Sequence, residues 1–139
     1  MTDNSDLKIV IVLSSTLGIG LATNRAAVLA TGLAKHVPNM IGENLTTKDG
    51  RILLGITQIP IPILTVKTDT SFFDLAKRSE KLGCKVIIFL MRAQGMRSYE
   101  EYTYSISQSN YDELDIDGIA IYGPTKSVTR VTGNLPALR

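Results

Sequence analysis

Residues 8–13, Lys-Ile-Val-Ile-Val-Leu, are apolar on both faces after the opening lysine and rich in β-branched side chains. A strand covered by helices on both sides has this pattern, so the segment is expected in the middle of a sheet. Past Ser14-Ser15-Thr16-Leu17-Gly18-Ile19-Gly20 the period changes. Ala22, Ala26, Leu29 and Leu33 recur at spacings of four, three and four, and Ala27, Ala30 and Ala34 widen the stripe. This predicts a helix that ends near His36, is closed by Pro38 and sits close to the sheet on its alanine side.

Residues 40–56 hold two short apolar segments around Thr47-Lys48-Asp49-Gly50. Asp-Gly between such segments predicts a hairpin, here placed at a sheet edge. Pro60 and Pro62 cannot donate ladder hydrogen bonds, so residues 58–62 read as edge or linker and the next strand begins at Ile63. Thr68-Asp69-Thr70 offers a cap for a helix with Phe72, Phe73, Ala76, Ser79 and Leu82 on one side, ending at Gly83. A fully apolar strand over 86–90, a helix over 97–108 and a strand over 116–121 follow. Pro124 then opens a last helix with Val128, Val131 and Leu135 facing inward. The alternation predicts an α/β fold, a three-layer α/β/α sandwich with a mixed, largely parallel sheet plus the edge hairpin. Residues 1–6 are expected as a flexible tail and residues 7–139 as a single domain.

Composition narrows the function classes. With 139 residues, 44% of them hydrophobic, the chain can bury a core without disulfides or structural metal. It has one cysteine, Cys84, and one histidine, His36, which leaves no zinc set; no metal and no cofactor are expected. The first apolar run, residues 7–13 with Lys8 inside it, is short and follows the acidic, polar residues 1–6 rather than a basic segment, so neither a membrane span nor a secretory leader is expected, and the location expected is cytoplasmic. Fifteen basic against thirteen acidic side chains leave +2, too little for net charge alone to draw nucleic acid. That total hides a separation: Asp112, Glu113, Asp115 and Asp117 lie before and at the start of the last strand, while Lys126, Arg130 and Arg139 follow it unopposed.

In open α/β sheets ligands gather at the carboxyl ends of strands, where helix N-termini present free N–H groups. Two places are candidates. The first is the start of the first helix, with Gly18, Gly20, Thr23, Asn24 and Arg25; it holds two glycines of a dinucleotide fingerprint but not the third. The second is Gly123-Pro124-Thr125-Lys126-Ser127, a turn into a helix whose first turn carries a lysine and hydroxyls. Arg92, just past the strand over 86–90, joins them on one rim if that strand is parallel to the first. Each has a plainer reading: a Pro-started helix with a solvated basic face, and solvated loop charge. His36 reads as a donor to the last helix carbonyls, Cys84 as a small buried residue, and the acidic run as a solvated start to a strand rather than a metal site.

Several segments together resemble known families. Ala26-Ala27 in the first helix, Lys81-Leu82-Gly83 before an apolar strand, and Gly123-Pro124 leading to Arg130-Val131-Thr132-Gly133-Asn134-Leu135 are similar to the type 2 peptidyl-tRNA hydrolases. Asn24, Ala26-Ala27, Thr31-Gly32, Ile41-Gly42-Glu43, Gln58 and the Gly123-Pro124 helix more closely resemble domain-of-unknown-function family 2000, small bacterial proteins placed beside those hydrolases. The resemblance implies the hydrolase fold. The hydrolases carry Gly-Lys before the Ala-Ala pair, a later His, an Asp after the strand corresponding to residues 86–90, and a Thr at the last strand. The matching positions here hold Asn24, Thr31, Ala93 (or Arg92 by a one-residue shift) and Asp115, so the resemblance carries the fold and not the catalytic set.

Three expectations follow. The first is a domain that binds an anionic ligand, such as a nucleotide or RNA, on a rim of Gly18, Gly20, Thr23, Asn24, Arg25, Arg92, Gly123, Thr125, Lys126 and Ser127. The second is a divergent ester or amide hydrolase acting on a peptidyl-tRNA-like substrate, using Asn24 as oxyanion donor and Asp115 or Thr31 to activate water. The third is a homodimer built through the edge hairpin and apolar helix faces.

Overall fold

The structure, a computed structural model, describes residues 6–139. The expected N-terminal tail thus lies, apart from Asp6, outside the described residues. The Asp6 carbonyl accepts the Thr125 N–H at 3.0 Å.

Strand β1 (Leu7–Ser14) leads into helix α1 (Ile19–His36), and a small hairpin of β2 (Leu45–Thr46) and β3 (Ile52–Leu53) follows. Then come β4 (Ile63–Val66), α2 (Phe72–Lys81), β5 (Lys85–Leu90), a 3₁₀ turn (Met91–Gly95) and α3 (Tyr99–Ser107). A second 3₁₀ turn (Tyr111–Glu113), β6 (Ile116–Pro124) and α4 (Thr125–Thr132) complete the chain. The main sheet has the order β4-β1-β6-β5. Ile11 stands between Ile63 and Ala120, so β1 is internal, as its two-sided apolar pattern requires.

The sheet is mixed, but the expectation that it is largely parallel is corrected. Only β1 and β4 pair in parallel; β6 runs antiparallel to both of its neighbours. Strands β1, β4 and β5 still point the same way, because β6 lies reversed between β1 and β5. The β2–β3 hairpin also departs from expectation, since it forms a separate two-stranded sheet rather than extending an edge of the main one.

Alternation along β1 divides the core. Ile9, Ile11 and Leu13 pack with Ala22, Leu29 and Leu33 of α1, whereas Val10 and Val12 pack with Leu75 of α2 and Val128 and Val131 of α4. Burying each large aliphatic contributes about 1.5–3 kcal/mol, which makes these two clusters the main hold on the sheet. Gly32 faces Ile87 so closely that a Cβ would lie 3.1 Å from its Cγ2, so α1 can lie against β5. Two buried hydroxyls inside the helices are satisfied locally, Ser79 on the Leu75 carbonyl and Thr132 on the Val128 carbonyl, each at 2.8 Å.

The predicted signals mostly act where expected. Helix α2 is capped by Ser71, whose hydroxyl accepts the Asp74 N–H at 3.1 Å, one residue past the Thr68-Asp69-Thr70 cluster. Gly83 follows its C-cap with φ +85°, a conformation open to glycine at little cost. Helix α3 buries none of its residues fully; Tyr102, Ser105 and Ile106 are half-buried. Among the described residues, no helix is long and apolar enough to cross a membrane.

Candidate functional site

Because β1, β4 and β5 point the same way, their carboxyl ends open on one end of the sheet beside the start of β6. The chain leaves β1 through residues 15–18, leaves β4 through residues 67–71 and leaves β5 through the Met91–Gly95 turn. These three exits and residues 114–117 enclose a cleft of about 700 Å³. That volume is within the range of small-molecule sites, roughly 300–1,000 Å³. Its walls are mixed: Leu17, Leu21, Phe72, Phe73, Met91, Leu114 and Ile116 are apolar, while Ser14, Thr16, Thr68, Thr70 and Ser71 bring hydroxyls. Lys67 stands at the rim and makes no ion pair among the described residues.

The polar floor is an ion pair. Arg25 falls on the buried stripe of α1, three residues after Ala22 and four before Leu29, and only 2% of it is exposed. Its Nε donates to Asp117 Oδ2 at 2.8 Å and its Nη2 lies 2.5 Å from the same oxygen. Nη2 also donates to Gln94 Oε1 at 3.2 Å, and the guanidinium carbon sits 4.9 Å from the centre of the Phe89 ring. A guanidinium suits this position: it spreads its charge, forks onto a carboxylate and stacks on an aromatic face. Asp117 lines the cleft, and its second oxygen, Oδ1, accepts no hydrogen bond among the described residues. A mostly covered carboxylate oxygen without a protein partner is an acceptor open to a ligand.

A second pair stands beside the first. Arg92 donates from its backbone N to Asp115 Oδ2 at 2.7 Å and from Nε to Oδ1 at 2.6 Å. Its Nη1 reaches the Ser105 hydroxyl at 3.1 Å and the Ser109 hydroxyl at 2.9 Å. Arg92 thereby ties the end of α3 to the start of β6. Both oxygens of Asp115 are taken, in contrast to Asp117.

The structure separates the residues that the sequence grouped. Arg25 and Asp115 line the cleft, and Arg92 lies behind Asp115. Gly18 is the N-cap of α1 and Gly20 lies in its first turn, both exposed. The Thr23 hydroxyl donates to the Ile19 carbonyl at 2.8 Å, Asn24 is exposed, and the Thr31 hydroxyl donates to the Val28 carbonyl at 2.6 Å. Asn24 and Thr31 are about 10 Å apart along α1 at 1.5 Å per residue, so they and Asp115 do not converge on one atom. Gly123, Thr125, Lys126 and Ser127 lie at the other end of the sheet, where Pro124 pairs with Leu7 at the beginning of β1. The single rim is therefore two sites at opposite ends, because β6 is reversed.

Asp115 and Asp117 do not form a solvated start to a strand; each is held by an arginine. Among the described residues no group of three or more His, Cys, Asp or Glu side chains gathers. Cys84 is buried with Gly123 against it, a Cβ there lying 3.2 Å from Sγ, and burial pushes its thiol pKa up, away from thiolate chemistry. Lys67, Phe72, Phe73, Gln94 and the role of Asp117 escaped sequence reasoning. The one available signal was Arg25 itself, a charge on an otherwise apolar helical stripe.

A solved structure of a protein of unknown function from Agrobacterium tumefaciens strain C58 is similar, with a TM-score of 0.84 at 18% identity, over 96% of this chain and 98% of that one. At that identity the likeness shows the fold alone. No curated protein matches the chain by sequence. The family described as "Protein of unknown function (DUF2000)" matches residues 7–139, and the chain belongs to that family.

Proposed function

We propose that the protein binds a small phosphate-bearing ligand of the mononucleotide class in the cleft at the carboxyl ends of β1, β4 and β5. The observation that carries the reading is the open Oδ1 of Asp117, set in the cleft by its ion pair with Arg25. A sugar hydroxyl or ring amine would donate to it, and such a bond to a partly buried carboxylate is stronger than one between neutral groups. Phe72, half-buried in the cleft wall, offers a face for a planar ring, while the Phe73 ring already has Tyr111 and the Lys77 ammonium against it. Lys67, with the Thr70 and Ser71 hydroxyls beside the first turn of α2, suits a phosphate. A small ligand fits better than RNA, because Lys126 and Arg130 lie at the far end of the sheet and do not extend this surface. The fold belongs to the same reading: α1 on one face and α2 with α4 on the other support the three-layer sandwich similar to type 2 peptidyl-tRNA hydrolases.

Calorimetric titration with purine and pyrimidine mononucleotides tests it. The wild type should bind at least one, and Asp117→Asn and Lys67→Glu should each weaken that binding about tenfold or more, or 1.4 kcal/mol. Absence of binding to the whole set, or unchanged affinity in both variants, removes the reading.

A second reading keeps hydrolysis. On this reading Asp117 Oδ1 would orient a water, and its support is that this oxygen accepts no hydrogen bond among the described residues whereas both oxygens of Asp115 are taken. Turnover of an N-blocked aminoacyl-tRNA above background, lost in Asp117→Asn, supports it; no turnover in the wild type ends it.

A further inference from the structure

We propose that the β2–β3 hairpin is a dimerisation arm, covered in solution by the same arm of a second copy of this chain. The arm is firmly rooted. Met40 and Ile59, at its two ends, are buried in the core under α1, and the Gln58 N–H donates to the Met40 carbonyl at 2.9 Å. The Gly42 N–H donates to the Ile56 carbonyl at 2.8 Å and the Gly55 N–H to Asn44 Oδ1 at 3.0 Å. Gly55 lies so close that a Cβ there would collide with the Gly42 carbonyl. At the tip, the Thr47 N–H donates to the Arg51 carbonyl at 2.8 Å, and the Thr47 hydroxyl accepts the Arg51 N–H at 2.9 Å.

Among the described residues nothing covers what this frame displays. Ile41, Leu45, Ile52, Leu53, Leu54 and Ile56 are 46–78% exposed. Leu45 stands opposite Leu53 and Thr46 opposite Ile52, so both faces of the hairpin carry bare aliphatic side chains. At about 190 Å² for a fully exposed Ile or Leu, the six display roughly 700 Å² over the two faces together, and an arm that clasps its copy on both faces approaches the ~800 Å² per partner of a stable interface.

A second copy is the occupant that these features fit. A twofold contact sets the same patch on both sides, so apolar surface meets apolar surface without a further site. The arm's charges also balance: Glu43 and Asp49 against Lys48 and Arg51, so two arms do not repel. The frame is already ordered, so pairing orders little backbone.

Sedimentation velocity at about 100 µM, a hundredfold above a micromolar dissociation constant, reads the result. The wild type should sediment at twice the mass of one chain, and Leu54→Asp/Ile56→Asp should return it to the monomer with an unchanged circular dichroism spectrum. Ile19→Asp, at a site equally exposed but outside the arm, should leave the dimer intact. A wild type that stays monomeric overturns the proposal, whether the arm meets another protein or nothing. A dimer that survives the double substitution, or that Ile19→Asp dissolves equally, overturns it too.

Discussion

Arg25 and Asp117 stand 92 residues apart in the chain and meet through two nitrogens on one carboxylate oxygen, joining the buried side of α1 to the start of β6. The contact crosses from helix to sheet at the floor of the cleft. It fixes the carboxylate with one oxygen committed and one open, and the proposed ligand reading depends on that asymmetry.

Breaking the pair from one side should be costly. Arg25→Met leaves Asp117 a largely covered carboxylate without its counter-charge, and about 3–5 kcal/mol of unfolding free energy should be lost. Arg25→Met/Asp117→Leu removes both charges and should recover most of that loss. Urea denaturation of the two variants checks this; a double variant as unstable as the single one would show that the pair matters through shape rather than charge.

The Arg92 network makes a more local prediction. Helix α3 buries no residue, and Arg92 links the Ser105 and Ser109 hydroxyls at its C-terminal end to Asp115. Arg92→Ala should cost about 1–2 kcal/mol of global stability, since charged hydrogen bonds are lost at a half-buried site. Its larger effect should be faster proteolysis within residues 97–110. Unchanged cleavage there would mean that α3 is held by its packing.

High pH should destabilise the fold, with a sign set by three groups. Burial raises the Cys84 thiol above its ordinary 9.0. Burial also raises the Tyr102 phenol above 10.0, with Tyr99 and Asp115 adding to it against Arg92. Tyr111 is raised by burial and then by Glu80. Below about pH 9 these groups are protonated in both states and their contribution is fully present; as pH rises further, the unfolded chain ionises first and stability falls. The urea midpoint should therefore hold from about pH 7 to pH 8.5 and decline toward pH 10, with Cys84 slow to react with thiol reagents until urea is added. A midpoint that rises with pH contradicts the assignment.

How much of this was legible in the sequence differs by element. Apolar runs and caps placed β1, α1, α2, β5 and α4, because each signal is local: the stripe from Ala22 to Leu33 or Gly83 after Leu82 needs no distant partner. The direction of β6 is not local. Residues 116–121 read the same whichever way the strand runs, so Gly123 to Ser127 could be placed with the wrong end of the sheet. The same gap hid the site, since Arg25 shows as a charge on an apolar stripe while Asp117 looks like one acid in a run of four.

Gly55 offers a test of the arm's frame. Gly55→Ala places a Cβ against the Gly42 carbonyl and should spread the two sides of the hairpin. Hydrogen exchange at the Gly42 amide, now bonded to Ile56, should quicken about tenfold or more. Global stability should change little, because the aliphatics between Met40 and Ile59 are exposed and contribute almost nothing to the core. A fall in global stability with unchanged Gly42 exchange would show that the glycine serves the body of the fold instead.

The most direct test of the cleft is an amide chemical-shift map recorded during titration with a mononucleotide. Shifts concentrated at residues 14–17, 67–73 and 114–117, and abolished by Asp117→Asn with the rest of the spectrum intact, are the result predicted. No shifts with any mononucleotide, or shifts confined to Gly123, Thr125, Lys126 and Ser127 at the opposite end of the sheet, would contradict the account.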